Sequence, residues 1–215
     1  VTGVQTCALP ISLTYILYEE DSGLLGWLMA LMSLAPVFFV CIICSSILIR
    51  RDIHSGFLLL EMLSCTLLNQ ILKRFFKESR PINTGVQTTY GMPSDHSQFI
   101  SCFCVYITLW LFDIHMSSPF QRVVAIIVLW IVWAFVVMSR LYLGEHTLAQ
   151  VVVGVCVGLG YGGVWYWLDR TFFRRYYQAI AELPLFRWLE FKDLTNVPNS
   201  LEKEREMARQ YYVKE

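Results

Sequence analysis

Long apolar runs separated by short polar stretches occupy most of the chain. Five of these runs carry few or no charged residues, and they cover 24–49, 56–76, 97–113, 123–143 and 146–168. A helix needs about 20 apolar residues to cross the hydrocarbon of a bilayer. The pattern therefore predicts an all-α fold, a polytopic membrane helical bundle of about five transmembrane helices, with the first helix tilted or bent near Pro36.

The two ends of the chain differ from this apolar body. Residues 1–12 show no helical period and are interpreted as non-native or disordered. Residues 169–215 hold 17 of the 34 charged side chains, which is too polar for a span. We expect a polar, helical, cytosolic tail that either lies on the membrane surface or is solvated. The membrane domain is then assigned to residues 13–168.

The overall composition agrees with a membrane protein. The 215 residues are 56% hydrophobic and 16% charged, whereas soluble domains carry about a quarter charged residues. The net charge is zero, so nothing in the composition indicates a nucleic-acid partner.

Five spans place the loops alternately on two sides of the membrane. Loops 50–55 and 115–121 share one side with the tail, and loops 77–96 and 143–146 share the other. Arginines border the first side at Arg50, Arg51, Arg122, Arg170, Arg174 and Arg175. By the positive-inside rule this first side is cytosolic. Cations also stand on the opposite side, and they require another explanation.

Three short motifs on that opposite side supply the explanation. They are Lys73 followed by Arg80-Pro81, then Pro93-Ser94-Asp95-His96, and finally Ser139-Arg140 followed by His146. Cations within or beside membrane spans are costly and usually mark function. The order of the motifs and their placement on one face indicate a common site.

The residue types in these motifs fit a phosphoryl group. Lys73, Arg80 and Arg140 supply positive charge, and arginine can grip phosphate oxygens through two parallel hydrogen bonds. Ser94 can donate a hydroxyl, and backbone N–H groups near Asp95 open the next helix, where anions are favoured. Of two histidines, one can attack phosphorus and the other can protonate the leaving oxygen.

The three motifs resemble the signature of the type 2 phosphatidic acid phosphatase superfamily across residues 56–168. The resemblance implies a membrane phosphatase that needs no cofactor and no metal. It makes His146 the nucleophile and His96 the general acid. The implied phosphate-binding residues are Lys73, Arg80, Ser94, Asp95 and Arg140.

Two positions depart from the family pattern. Asp95 stands where glycine is usual, so its carboxylate faces the incoming phosphate unless it turns away. Gln150 stands where an aspartate usually orients the nucleophile, on the same helix face as His146. Its amide oxygen can hold the ring, but it carries no charge to stabilise an imidazolium. Such a nucleophile suits a good leaving group, such as a lipid monophosphate with a second pKa of about 6, rather than an alkoxide.

Residues 90–99 and 139–150 look most like the eukaryotic members that act on dolichyl diphosphate. This likeness implies a polyprenyl diphosphate substrate, a phosphohistidine intermediate, and a lumenal site in the endoplasmic reticulum that supports dolichol recycling for N-glycosylation. The alternatives are a phosphatidate-type lipid monophosphate phosphatase of the same superfamily, or a non-enzymatic transporter or scaffold. Polyprenyl chain length, oligomeric state and protein partners stay open.

Other polar residues have simpler interpretations. His54 and His115 are expected to be solvated loop residues, and Glu61 a packing or interfacial acid on the cytosolic side. Asn69 could orient the Lys73 ammonium or make a hydrogen bond between helices. The glycines of the last span are expected to serve packing.

Overall fold

A computed structural model describes residues 23–81, 90–114, 118–195 and 200–213. Residues 1–12 and His115 lie outside them. Within these ranges the fold is all-α, as predicted, and no β-strand occurs. The helices are α1 (Gly23–Ser33), α2 (Ala35–Arg50), α3 (Ile53–Phe76), α4 (Asp95–Asp113), α5 (Pro119–Tyr142), α6 (Leu148–Thr171), α7 (Tyr177–Ala181), α8 (Pro184–Trp188) and α9 (Ser200–Val213).

Three helices of the described chain are long and apolar enough to cross a membrane. They are α3, α5 and the segment Leu148–Ala181, which begins with α6. Helices α1 and α2 count as a fourth if the pair, bent by 42°, forms one span. The bend falls where Pro36 enters the first turn of α2, because proline cannot continue an existing helix. The chain is thus a multi-pass membrane protein, with the bend near the predicted position.

Helix α4 differs from the other predicted spans. It has 19 residues, and it is not among the helices that are long and apolar enough to cross a membrane. Its first two turns contain Ser97, Gln98 and Ser101, which are buried. Helices α3, α5 and α6 surround α4, so protein rather than lipid satisfies these polar groups. The third predicted span, 97–113, is therefore an interior helix.

Glycines bring α6 close to α4. A Cβ on Gly158 would lie 2.3 Å from the carbonyl oxygen of Gln98, and one on Gly154 would lie 2.8 Å from that of Ser94. Small residues at such contacts let two helix backbones approach closely. The packing role predicted for the glycines of the last span is confirmed at these two positions, where it fixes the first turn of α4 against α6.

A buried polar cluster closes the end of the bundle where α3 begins. The carboxylate of Asp169 accepts hydrogen bonds from Tyr106, Tyr177 and Arg174. The Nε2 atom of His54 lies 3.0 Å from the Tyr106 hydroxyl. The expectation that His54 is a solvated loop residue is wrong, because α3 already begins at Ile53 and aromatic side chains cover the imidazole.

The first part of the predicted tail packs onto the bundle. Helix α6 runs on to Thr171, and Tyr177 is fully buried. The backbone of Lys192 accepts from Ile53 N at 3.1 Å and donates to Arg51 O at 2.8 Å. By contrast, the side chains that the structure describes in α9 are exposed, as a solvated helix requires.

Candidate active site

Hydrogen bonds between α3 and α4 set the position of Lys73. Asn69 Nδ2 donates to Gln98 Oε1 at 2.8 Å, and Gln98 Nε2 donates to Cys65 O at 3.0 Å. Asn69 thus serves a helix–helix contact, one of its two predicted roles. The contact fixes the register between the last turn of α3, which carries Lys73, and the first turn of α4, which carries His96.

The N-terminus of α4 has no side-chain cap. Ser94 is the fully buried N-cap residue, and its side chain makes no capping hydrogen bond. Its oxygen instead accepts from Ser97 Oγ at 3.1 Å, so the Ser94 hydroxyl group can still act as a hydrogen-bond donor. The Ser94 backbone N donates to Gln150 O at 3.1 Å, which ties this turn to α6. A helix N-terminus presents unpaired N–H groups and a partial positive charge.

A tight loop returns the chain from Arg140 to His146. Arg140 lies buried in the last turn of α5. Gly144 then has a φ of +66°, a left-handed conformation that glycine adopts without steric cost. The His146 N–H reaches back to Arg140 O at 3.3 Å. The five residues between the two motif residues therefore bring arginine and histidine together.

Gln150 fixes the tautomer of His146. Gln150 Nε2 donates to Glu78 Oε1 at 3.0 Å and to Ser79 O at 2.9 Å. A backbone carbonyl can only accept, so the amide nitrogen must face Ser79 O. Gln150 Oε1 consequently faces Thr147 N, at 3.3 Å, and His146 Nδ1, at 3.0 Å. The imidazole proton then sits on Nδ1, and Nε2 keeps a free lone pair.

Two features of this arrangement were absent from the sequence interpretation. Thr147 and Gln150 form a capping box at the start of α6, and the T-x-x-Q pattern in the sequence is a known signal for it. Glu78 lies 72 positions from Gln150 in the chain. No local pattern predicts such a contact.

The surroundings of His146 keep its ring neutral. Burial lowers the pKa of His146 to about 3, with the positive charges of Arg140 and Arg80 acting in the same direction and the Gln150 hydrogen bond opposing them. An unprotonated ring at neutral pH is what a nucleophilic histidine requires. The same cations lie near enough to act electrostatically on His96.

Two carboxylates pair with the three predicted phosphate-binding cations. Asp95 contacts the Lys73 ammonium, so its side chain turns toward the site rather than away from it. Glu145 Oε2 lies 3.1 Å from Arg80 Nη1 and 3.4 Å from Arg140 Nη2. Glu145 was not singled out in the sequence, although it directly precedes His146.

The structure brings the predicted site residues together at one end of the bundle. They come from the end of α3 and the segment after it, the start of α4, the end of α5 and the start of α6: Lys73, Arg80, Ser94, Asp95, His96, Arg140, His146 and Gln150. The described residues include no group of three His, Cys, Asp or Glu side chains that could hold a metal ion.

Such a fold and site define a membrane phosphatase. Residues 55–174 match the family model described as the PAP2 superfamily, and the chain belongs to this family of hydrolases, which act on lipid phosphates.

Proteins with similar sequences are named either dolichyldiphosphatase or lipid phosphate phosphatase. Dolichyldiphosphatase 1 of Dictyostelium discoideum is 30% identical, covering 92% of this chain and 88% of its own length. Dolichyldiphosphatase 1 of Homo sapiens is 31% identical, with coverages of 89% and 84%. Lipid phosphate phosphatase gamma of Arabidopsis thaliana is 29% identical, with coverages of 93% and 90%.

A solved structure supports the fold. The transmembrane PAP2-type phosphatidylglycerolphosphate phosphatase of Bacillus subtilis superposes with a TM-score of 0.57 at 22% identity, covering 68% of this chain and 77% of that one. At this level of identity the likeness concerns the fold alone.

Proposed function

We propose that the protein hydrolyses a polyprenyl diphosphate, dolichyl diphosphate in particular, to the lipid monophosphate and inorganic phosphate. The observation that carries this proposal is the neutral amide of Gln150 at His146 Nδ1. An amide orients the ring without charge support for the nucleophile, which favours a substrate with a good leaving group. The likeness to relatives named dolichyldiphosphatase is consistent with this choice.

In the first step, His146 Nε2 attacks the terminal phosphorus of the diphosphate. A P–N bond forms, and the P–O bond to the lipid monophosphate breaks. His96, which becomes protonated once the negative charge of the bound diphosphate offsets the nearby cations, gives its proton to the departing oxygen. The product of this step is a phosphohistidine at His146 and a free lipid monophosphate.

In the second step, His96 accepts a proton from water, and the resulting hydroxide oxygen attacks phosphorus. The P–N bond breaks, and its electron pair returns to His146 Nε2. Inorganic phosphate leaves, and both histidines regain their starting protonation states. Lys73, Arg80, Arg140, Ser94 and the backbone N–H groups from Asp95 onward would stabilise the phosphoryl oxygens throughout.

The cellular setting forms part of the proposal. The arginine bias across the loops supports a site on the non-cytosolic side, and the dolichyl substrate implies the endoplasmic reticulum membrane. There the product monophosphate would return to the dolichol cycle that serves N-glycosylation.

A lipid monophosphate phosphatase is the second candidate. The similarity to lipid phosphate phosphatase gamma, which extends over 93% of this chain, favours it. A third candidate, a transporter or scaffold with an inactive anion site, predicts binding without hydrolysis.

Phosphate release by purified protein tests these candidates. Dolichyl diphosphate and phosphatidate are offered in parallel in buffer containing EDTA, to wild type and to His146→Ala and His96→Ala variants. We expect faster phosphate release from the diphosphate than from phosphatidate, with no dependence on Mg²⁺. Both variants should lose activity. The two substitutions combined should cost no more activity than either one alone, because the histidines act as a unit. Preference for phosphatidate would favour the second candidate, and no release from either lipid would favour the third.

A further inference from the structure

Each motif histidine is directly preceded by an acidic residue, and both acids pair with cations of the site. Asp95 contacts Lys73. Glu145 bridges Arg80 and Arg140, with its Oε2 atom 3.1 and 3.4 Å from the two guanidinium nitrogens. Two carboxylates are therefore paired with the same cationic nitrogen atoms that would have to bind the phosphoryl group.

The cations of these ion pairs are largely shielded from water, whereas the Asp95 side chain is 33% exposed. The side chains of Lys73 and Arg140 are only 5% and 6% exposed. Charge–charge interactions are stronger in such surroundings than at a solvated surface, where ion pairs contribute little. An entering phosphate must therefore displace the carboxylates, since the alternative is a phosphate held beside two negative charges.

We propose that Asp95 and Glu145 are resident counterions of the phosphate site. The substrate's phosphoryl group displaces their carboxylates from Lys73, Arg80 and Arg140, and the carboxylates re-form the ion pairs when inorganic phosphate leaves. The inference rests on the proposed phosphate-binding role of the three cations.

The consequence concerns the product more than the substrate. Three unpaired cations beside a helix N-terminus would retain inorganic phosphate and so inhibit the next turnover. Because any phosphate group must displace two carboxylates, every phosphate-containing ligand binds with lower affinity. The lipid substrate recovers affinity through its tail and its second phosphoryl group. Free phosphate has neither of these contacts. The two acids thus set the affinity for the product and limit product inhibition.

Titration with inorganic phosphate tests the counterion role of Glu145. In Glu145→Gln the side chain keeps its size and one acceptor oxygen but loses its charge. We expect phosphate to bind the purified variant about tenfold more tightly than wild type, equivalent to about 1.4 kcal/mol. Binding is read from the phosphate-dependent rise in Tm, which needs no turnover. The inhibition constant of phosphate in the hydrolysis assay should fall in parallel.

The matched control is Glu190→Gln. Glu190 also pairs with an arginine, Arg51, but this pair lies at the other end of α3, whose 24 residues span about 36 Å. The Glu190→Gln variant should bind phosphate with the same affinity as wild type. Asp95→Asn repeats the test at Lys73, should Glu145→Gln fail to fold.

Arg140→Gln separates the inference from the proposed site. Loss of the phosphate-dependent rise in Tm in this variant would support the phosphate site, whereas wild-type binding would mean that the site itself is misplaced. Given a correct site, unchanged or weaker phosphate binding in Glu145→Gln would overturn the counterion role. The acid would then only hold the arginines in position.

Discussion

The amide of Gln150 can satisfy its four polar neighbours in only one orientation. Its nitrogen faces the acceptors Glu78 and Ser79, and its oxygen faces the donors Thr147 N and His146 Nδ1. The side chain is fully buried, where an unsatisfied polar group costs about 1–3 kcal/mol. Residue 150 therefore affects both the tautomer of His146 and the stability of the fold around it.

Gln150→Asp should lower stability and activity. An aspartate could stabilise an imidazolium at His146, but it cannot donate to Ser79 O, and its charge would face the Glu78 carboxylate. We expect a loss of stability of about 1–3 kcal/mol, measured as a lower Tm, together with reduced kcat/KM for dolichyl diphosphate. If Gln150→Asp were as stable and as active as wild type, that result would contradict the contacts assigned to the amide.

Adding Glu78→Gln to this variant should recover the part of the loss that comes from the facing carboxylates, although Ser79 O still lacks its donor. The new amide at position 78 can donate to the carboxylate at position 150, which now supports a more basic His146. A more basic nucleophile helps most where the leaving group is poorest, so preference should shift toward phosphatidate by about fivefold, or about 1 kcal/mol. The measurement is the ratio of kcat/KM for the two lipids in wild type, single and double variants. An unchanged ratio in an active double variant would place substrate selection elsewhere, in the lipid groove or at Asp95.

At the level of single residues, local signals predicted the cations and histidines but not their acidic partners. Spaced sequence motifs, which can be recognised without knowledge of the fold, contain Lys73, Arg80, Arg140 and His146. Glu145 contacts Arg80 across 65 positions of the chain, and only tertiary packing creates that contact. Burial of His54 has the same origin, because it depends on aromatic side chains of α4 rather than on the residues beside it.

At the level of helices, the interface between α4 and α6 holds the site together. α4 begins beside His96, and α6 begins just after His146, so their relative position sets the relation between the two rings. The apolar pattern predicted both helices, yet it could not show that α4 is interior. Its buried Ser97, Gln98 and Ser101 are accommodated by polar partners and close backbone packing that appear only once the helices assemble.

Gly158→Ala should disrupt this interface. The added methyl group would lie 2.3 Å from Gln98 O and 2.9 Å from Ser101 Cβ, so the helices must separate. Overpacking of this kind costs about 1–3 kcal/mol, and we expect a lower Tm together with reduced phosphatase activity. Gly160→Ala is the matched control, since a Cβ there meets nothing within 4 Å. Equal Tm values for the two variants would contradict the close packing of α4 on α6.

At the level of the whole molecule, basic residues on the two sides of the bundle have different explanations. On the site side, Lys73, Arg80 and Arg140 are paired within the proposed phosphate site, so function accounts for them. On the other side, Arg50, Arg51, Arg122, Arg170, Arg174 and Arg175 border the loops and the tail. The positive-inside rule therefore applies chiefly to this second set, and it supports the proposed orientation, in which the site faces away from the cytosol.

Labelling of single cysteines tests this orientation. The background is a variant in which all seven cysteines of the chain are replaced, carrying either Lys77→Cys at the site end or Glu190→Cys at the tail end. Both positions are exposed. In sealed microsomes, whose outer face is cytosolic, an impermeant maleimide should label position 190 directly and position 77 only after detergent opens the membrane. The cysteine-free parent should remain unlabelled in both conditions. Direct labelling at position 77, with protection at position 190, would reverse the topology and place the phosphatase site on the cytosolic face.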